Sequence, residues 1–174
     1  MGSGKTTIGK QVAAQLGLQF HDCDDEIEKS TGASVNLIFD VEGENGFRKR
    51  ESALLKKLAS NKGVLIATGG GVVINEANRK ILRANGLVVW LRATVEQQLK
   101  RLSHDKKRPL MQTPDRRSNL ERLAQERNPL YEAVSDIQYY SPNRNSRYAA
   151  RELSSLILNH LDSSDEGILN HGGH

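Results

Sequence analysis

The chain has little cysteine, proline or aromatic content and no long apolar run, and each scarcity removes a class of protein. Cys23 is the only cysteine, so no intramolecular disulfide can form and no cysteine-rich zinc site can be built. A reducing cytoplasm is the expected home. The longest purely apolar stretch, Leu87-Val88-Val89-Trp90-Leu91, falls far short of the roughly 20 residues that cross a bilayer, and no secretory leader is expected ahead of the first motif. Aromatic residues make up 5% and leave the basic stretch around 104–117 without stacking platforms, so nucleic acid is not an expected partner, nor is a membrane. A dominant charge sign is missing too: 25 Lys plus Arg against 21 Asp plus Glu give +4, interleaved along the chain, which suits small anionic ligands.

What remains is enough for a folded domain: 174 residues with 37% hydrophobic content can bury one core, expected over residues 1–162. Ile8, Val12 and Leu16 recur at helical spacing and stop at Gly17, and Leu18 to Phe20 is a short strand candidate. A short helix from Ser34 and a second from about Phe47 to Ser60 are expected next. Val64-Leu65-Ile66-Ala67 and Leu87–Leu91 are continuous β-prone runs of the kind buried on both sheet faces, with a helix from about Asn75 to Asn85 between them. Thr94 with Gln97 forms a capping box, and Ser118 with Glu121 opens a later helix. His104 to Arg117 is charged and proline-marked, so it is expected to be a mobile loop. Ile137 to Tyr140 reads as a strand, Arg151 to Leu161 as a closing helix, and 163–174 as a disordered tail. Strands alternating with helices predict an α/β fold, a three-layer α/β/α arrangement around a central parallel sheet, with ligands beyond the carboxyl ends of the strands.

Residues with chemistry fall at those ends. Gly2-Ser3-Gly4-Lys5-Thr6-Thr7 runs straight into the first helix and matches the second half of the phosphate-binding P-loop pattern. Glycines let backbone N–H groups curl around phosphate oxygens, the helix N-terminus adds its positive end, Lys5 reaches the outer phosphates and Thr6 offers a hydroxyl to Mg²⁺. The first glycine of the full pattern would stand before Met1, and the strand that feeds such loops is expected to be missing from this chain. Flexible glycines at an ordinary helix start are the plainer alternative.

Asp22 and Asp24 follow a strand and face opposite sides unless the chain turns there. One carboxylate suits a hydrated Mg²⁺ and the other a substrate hydroxyl; acids at the first turn of a helix are the alternative. Arg48 and Glu51 stand at i and i+3, so Glu51 can hold the guanidinium for a ligand, or the two form a surface pair. Arg108, before Pro109, is placed for a closing loop or for simple solubility. Arg127, before Asn128-Pro129-Leu130-Tyr131, lies where a helix is expected to break and can clamp a carboxylate or match the helix dipole. The histidines 21, 104, 160, 171 and 174 have no metal spacing; Cys23 and Trp90 read as core.

In order along the chain, G-S-G-K-T-T at Gly2–Thr7, D-C-D at Asp22–Asp24, E-I-E at Glu26–Glu28, G-F-R with its glutamate at Gly46–Glu51, T-G-G-G at Thr68–Gly71, R-P-L at Arg108–Leu110 and R-N-P-L-Y at Arg127–Tyr131 closely resemble the shikimate kinase family. The resemblance implies the P-loop, nucleoside-monophosphate-kinase type of fold and ATP-dependent phosphorylation of the 3-hydroxyl of shikimate, in aromatic amino-acid biosynthesis. It implies ATP contacts from Gly2, Ser3, Gly4, Lys5, Thr6 and Thr7, with Arg108 as lid arginine and Arg101 and Arg144 near adenine. Thr6 and Asp22 would hold Mg²⁺. Asp24, Arg48, Gly70, Gly71 and Arg127 would bind shikimate, with Lys5, Asp24 and Arg108 carrying the chemistry, in a monomer. Met111 stands where the family often has Leu. Two rival readings are a related small-metabolite kinase of the gluconate kinase type and a shikimate-binding module impaired in catalysis.

Overall fold

The computed structural model describes residues 2–102, 115–140 and 145–169, with side chains as far as Ser163. Helix α1 (Lys5–Leu16) turns Ile8, Gly9, Val12 and Ala13 inward and ends at Gly17. Strand β1 (Gln19–Asp22) follows, and α2 (Cys23–Thr31) starts at once because the Asp22 carboxylate accepts the Asp24 N–H and caps it. The chain therefore does turn between the two aspartates. Helix α3 (Val35–Ala59), capped by Ser34, joins the two expected helices across a kink at Gly43, where φ is 69° and ψ 179°. Strand β2 (Val64–Ala67) leads through a 3₁₀ turn (Val72–Ile74) into α4 (Glu76–Asn85), capped by Asn75.

Strand β3 (Val89–Arg92) precedes α5 (Val95–Leu102), where the capping box closes both ways: Gln97 N–H donates to Thr94 Oγ1 and Thr94 N–H to Gln97 Oε1. Helix α6 (Arg116–Val134) starts three residues earlier than the Ser118 signal implies, because the Asp115 carboxylate accepts from the Ser118 backbone and hydroxyl and becomes the cap. Nor does α6 break at Arg127. It runs through Pro129, with Leu120, Leu123, Arg127 and Val134 buried along it. A mid-helix proline costs roughly 3 kcal/mol in a free helix, which the packing of that buried side offsets. Strand β4 (Ile137–Tyr140) and α7 (Ser146–Leu169) complete the order, α7 beginning before Arg151 and continuing past Ser163.

The parallel pairing is of two kinds: β1 with β2, Gln19 opposite Val64 through Asp22 opposite Ala67, and β3 with β4, Val89 opposite Ile137 through Arg92 opposite Tyr140. Among the described residues these are two two-stranded sheets, and no strand precedes α1. Helices cover both faces. Ile8 and Val12 of α1 pack with Ala149, Ala150 and Leu153 of α7 on one side, onto Leu65 and Leu91. Leu55 of α3, Val72, Val73 and Val134 of α6 pack on the other, with Ile81 and Val88. This is the expected three-layer α/β/α architecture. Within the described residues no helix is long and apolar enough to cross a membrane.

Leu55 is 0% exposed at the centre of the second layer. Leu55→Ala should lower unfolding free energy by about 2–5 kcal/mol in a urea titration, whereas a loss under about 1 kcal/mol would show that this layer is loosely packed.

Candidate active site

The carboxyl ends of β1 and β2 and the start of α1 bring most of the singled-out residues together. Gly2 and Gly4 take φ values of 63° and 88°, which side chains resist, and the loop they form delivers Lys5 as the first residue of α1. No side chain caps this helix start, which leaves its positive end to a ligand. Thr6 Oγ1 donates to Asp22 Oδ2 at 2.7 Å, so the hydroxyl and the carboxylate expected to share a metal already face each other across α1 and β1. A hydroxyl and a carboxylate are hard oxygen donors of the kind Mg²⁺ takes in small number from a protein.

The second group is built around Glu51. Its side chain is 0% exposed, and Oε2 accepts from Arg48 Nη1 at 2.7 Å, while Arg48 Nη2 also reaches Glu44 at 3.1 Å. Burial pushes the Glu51 carboxyl above the usual carboxylate range; Arg48 and Arg127 pull it down and Asp24 pushes it up. Burial by itself would lower the Arg48 guanidinium, but Glu51 and Glu44 hold it above its ordinary value, so it stays charged.

The turn after β2 fits around this pair only because it lacks side chains. A Cβ on Gly69 would strike Glu51 Oε1 and come within 3.7 Å of Asp24 Oδ1, and one on Gly71 would overlap the Arg48 guanidinium. Asp24, Glu51 and Arg48 thus lie against the triple glycine. From the other side comes α6. Arg127 is 6% exposed and stands one turn before Tyr131, close enough to act on its hydroxyl electrostatically, and the Tyr131 hydroxyl donates to the Gly70 carbonyl. Arg127 Nε is buried with no hydrogen-bond partner among the described residues.

Arg127 is therefore a buried mid-helix cation aimed at the glycine turn. Arg101 sits elsewhere, donating to the Gly2 carbonyl at 2.9 Å from an exposed position on α5. It braces the phosphate loop. Arg108 and Arg144 lie outside the described residues, as does the 104–117 segment up to Pro114. Cys23, expected as a buried filler, is 1% exposed, and burial with Glu51, Asp24, Asp22 and Glu26 around it pushes the thiol up to about 12. It is inert at neutral pH. Trp90 is half-buried, tilted against Tyr131 at 5.3 Å and covered by Arg92 at 4.3 Å.

Three supports escaped the sequence reading. Tyr131 carries an i, i+4 signal with Arg127 that would have found it. Asn78, 2% exposed, donates to the Val72 carbonyl, and Arg79 donates to those of Val73 and Ile74, so α4 pins the turn that follows the glycines. No local pattern marks that pair. Because the folded Glu51 holds its proton more tightly than an unfolded carboxyl does, the stability this carries is present below the ordinary value of 4.5 and is lost as pH rises through the raised one. Glu51→Gln should therefore gain stability relative to the parent as denaturation is repeated from about pH 4 to about pH 7; a gap that moves the other way would mean the ion pair outweighs burial.

Comparison with known proteins was made against this geometry. A family model described as shikimate kinase matches residues 1–158. The shikimate kinase of Vibrio cholerae is 47% identical over 161 residues, covering 92% of each chain, and that of Actinobacillus pleuropneumoniae is 47% identical over 159 residues, covering 91% of this chain and 92% of that one. Among solved structures, the Acinetobacter baumannii shikimate kinase in complex with shikimate superposes with a TM-score of 0.89 at 43% identity, covering 91% of this chain and 89% of its own. The Aquifex aeolicus shikimate kinase gives 0.78 at 32% identity, over 95% and 94%. With the phosphate loop, the paired aspartates and the glycine turn each in the order and place the motifs imply, the chain belongs to the shikimate kinase family.

Proposed function

We propose that this chain transfers the γ-phosphoryl group of ATP to the 3-hydroxyl of shikimate, giving shikimate 3-phosphate and ADP in the chorismate branch of aromatic amino-acid biosynthesis. The observation that carries the reading is the convergence of Arg48, Arg127 and Asp24 on a side-chain-free turn beside the phosphate loop. Two cations and one carboxylate match a substrate with one carboxylate and several hydroxyls. Arg48 and Arg127 hold the carboxylate. Asp24 takes the hydrogen bond of the 3-hydroxyl and aims its oxygen at the γ-phosphorus.

In the reaction a bond forms between that oxygen and phosphorus as the bridge to the β-phosphate breaks. The hydroxyl proton passes to the Asp24 carboxylate and the electron pair of the broken bond stays on ADP. Lys5 and the amides of Gly2–Thr7 cradle the phosphates, with Arg101 and Arg144 on the nucleotide side and Arg108 closing over it. Thr6 and Asp22 would hold Mg²⁺, which when bound offsets phosphate charge. Phosphoryl transfer depends on positioning and charge neutralisation more than on covalent chemistry, and these residues supply both. A lone, buried, unreactive thiol suits a reducing cytoplasm. We read residues 1–162 as a single catalytic domain acting as a monomer.

The direct test is shikimate-dependent ADP release with MgATP, set against no-shikimate and gluconate controls. Release with gluconate in place of shikimate would overturn the substrate. Lys5→Ala and Asp24→Asn should each cut turnover by roughly a hundredfold or more at unchanged melting temperature; full activity in either would remove that residue from the chemistry. Arg127→Ala and Gly71→Ala should raise KM for shikimate on the order of 10- to 100-fold while KM for ATP stays nearly constant, since one deletes a carboxylate contact and the other displaces the second. Equal effects on both substrates would refute that role.

A further inference from the structure

A guanidinium has five N–H donors and two edges on which a carboxylate can lie with parallel bonds, one formed by Nε and Nη2 and the other by Nη1 and Nη2. On Arg48 both edges are engaged. Glu44 Oε1 accepts from Nε at 3.3 Å and from Nη2 at 3.1 Å, and Glu51 Oε2 accepts from Nη1 at 2.7 Å. The guanidinium also lies against Gly71 and 5.3 Å from the centre of the Phe47 ring. A substrate carboxylate can therefore take Arg48 with two bonds only by displacing one of the two glutamates.

The two differ in what displacement costs. Glu51 is 0% exposed and has no water to turn to, whereas the Glu44 side chain is 45% exposed and its bonds to Arg48 are longer. An exposed pair at i, i+4 spacing is worth little, because water hydrates both partners once they part. Glu44 is the one that leaves. Its place is set by Gly43, whose φ of 69° and ψ of 179° interrupt α3 and make Glu44 the first residue of the continuing helix, one turn before Arg48. Glu42, on the other side of that kink, goes elsewhere. It passes over Gly46, where a Cβ would strike it, and takes Arg50 with both oxygens at 2.7 and 2.9 Å. Two glutamates flanking one glycine thus hold different arginines, and of the two it is Glu44 that touches the arginine at the site.

We propose that Glu44 is a resident stand-in for the substrate carboxylate: it holds Arg48 between turnovers, yields the Nε–Nη2 edge to the arriving substrate, and takes that edge back as the product leaves. This rests on the reading of Arg48 as half of a carboxylate clamp. Glu44 touches no reacting atom, so it is a positioning residue that keeps the edge paired and aimed. Its competition bears equally on substrate, transition state and product, since all three carry the same carboxylate. Removing a competitor of that kind lowers KM without raising kcat. Product release is the step the contact helps, because a carboxylate tethered one turn away meets the vacated edge at a high effective concentration.

The test compares the parent with Glu44→Gln, which keeps the shape and removes the charge, and with Glu42→Gln, which removes the same charge two residues away without touching Arg48. Steady-state kinetics are run on each, and Kd is measured by NMR titration for shikimate and for cyclohexanecarboxylate. The second ligand carries the carboxylate without the ring hydroxyls and reads the clamp alone. Glu44→Gln should lower KM and Kd for shikimate about two- to fivefold, with kcat not raised and with KM for ATP and the melting temperature unchanged. Kd for cyclohexanecarboxylate should fall by the same factor, and inhibition by the phosphorylated product should tighten by it. Glu42→Gln should match the parent throughout. A rise in KM for shikimate in Glu44→Gln would make Glu44 a support of the clamp, and no change would mean that it is never displaced. Equal falls in the two variants would assign the effect to net charge. Each of these overturns the proposal. If the parent fails to bind shikimate, the substrate reading falls by itself, and the cyclohexanecarboxylate titrations still decide the role of Glu44.

Discussion

The ion pair of Glu51 with Arg48 is the constraint around which the rest of the site is arranged. A carboxylate at zero exposure is costly unless a cation and further donors meet it, and Arg48 meets only one of its two oxygens. The surrounding backbone adapts to the pair. Gly69 and Gly71 have no side chain because Glu51 Oε1 and the Arg48 guanidinium occupy the space where one would go. Gly70 sits between them with its carbonyl tied to Tyr131, which stands one turn after Arg127 on α6. One buried pair on α3 thus fixes the turn after β2, and the turn fixes the register of α6 against it.

A buried Arg127 becomes tolerable for the same reason. Its charge faces the excess negative charge of Glu51 and Asp24, while the α6 packing that keeps Pro129 inside a helix also keeps the guanidinium from rotating out to water. Two arginines held rigid by different helices keep a fixed separation, which a bidentate grip on a carboxylate requires. Surface arginines on flexible stems would bind the same anion with larger entropy loss. Glu51 is therefore a positioning residue, and the arginines it aims are the ones that touch substrate in the proposed reaction.

How much of this was legible in the sequence depends on whether the signal was local. The Thr94–Gln97 capping box and the Arg48–Glu51 spacing are contacts between near neighbours, and each forms as read, while the two β-prone runs do become strands, the second shifted to Val89–Arg92 and both less buried than expected. The α6 start was missed because Asp115 competes with Ser118 for the cap, and proline was over-weighted at 129 because its helix penalty is a property of free helices. Asn78 and Arg79 were invisible because they act on carbonyls five or six residues away, through a turn whose shape no local pattern fixes. The parallel direction of the strands was legible from their alternation with helices, whereas which strand lies beside which, β1 with β2 and β3 with β4, rests on contacts far apart in the chain.

The two halves of the site have different mechanical supports, and this orders their sensitivity to change. The substrate side hangs on α3, α6 and the glycine turn, all anchored in the packed layer around Leu55. On the phosphate side, the loop rests on the start of α1, with Thr6 linked to Asp22 and Arg101 linked to Gly2. Local opening costs least where few apolar contacts and few backbone hydrogen bonds must be broken, so the phosphate loop is the softer half. Damage to packing should consequently reach nucleotide affinity before it reaches the arginine clamp. A ligand that spans both halves must order the softer one as it binds, which couples the two substrates through the loop without any contact between them.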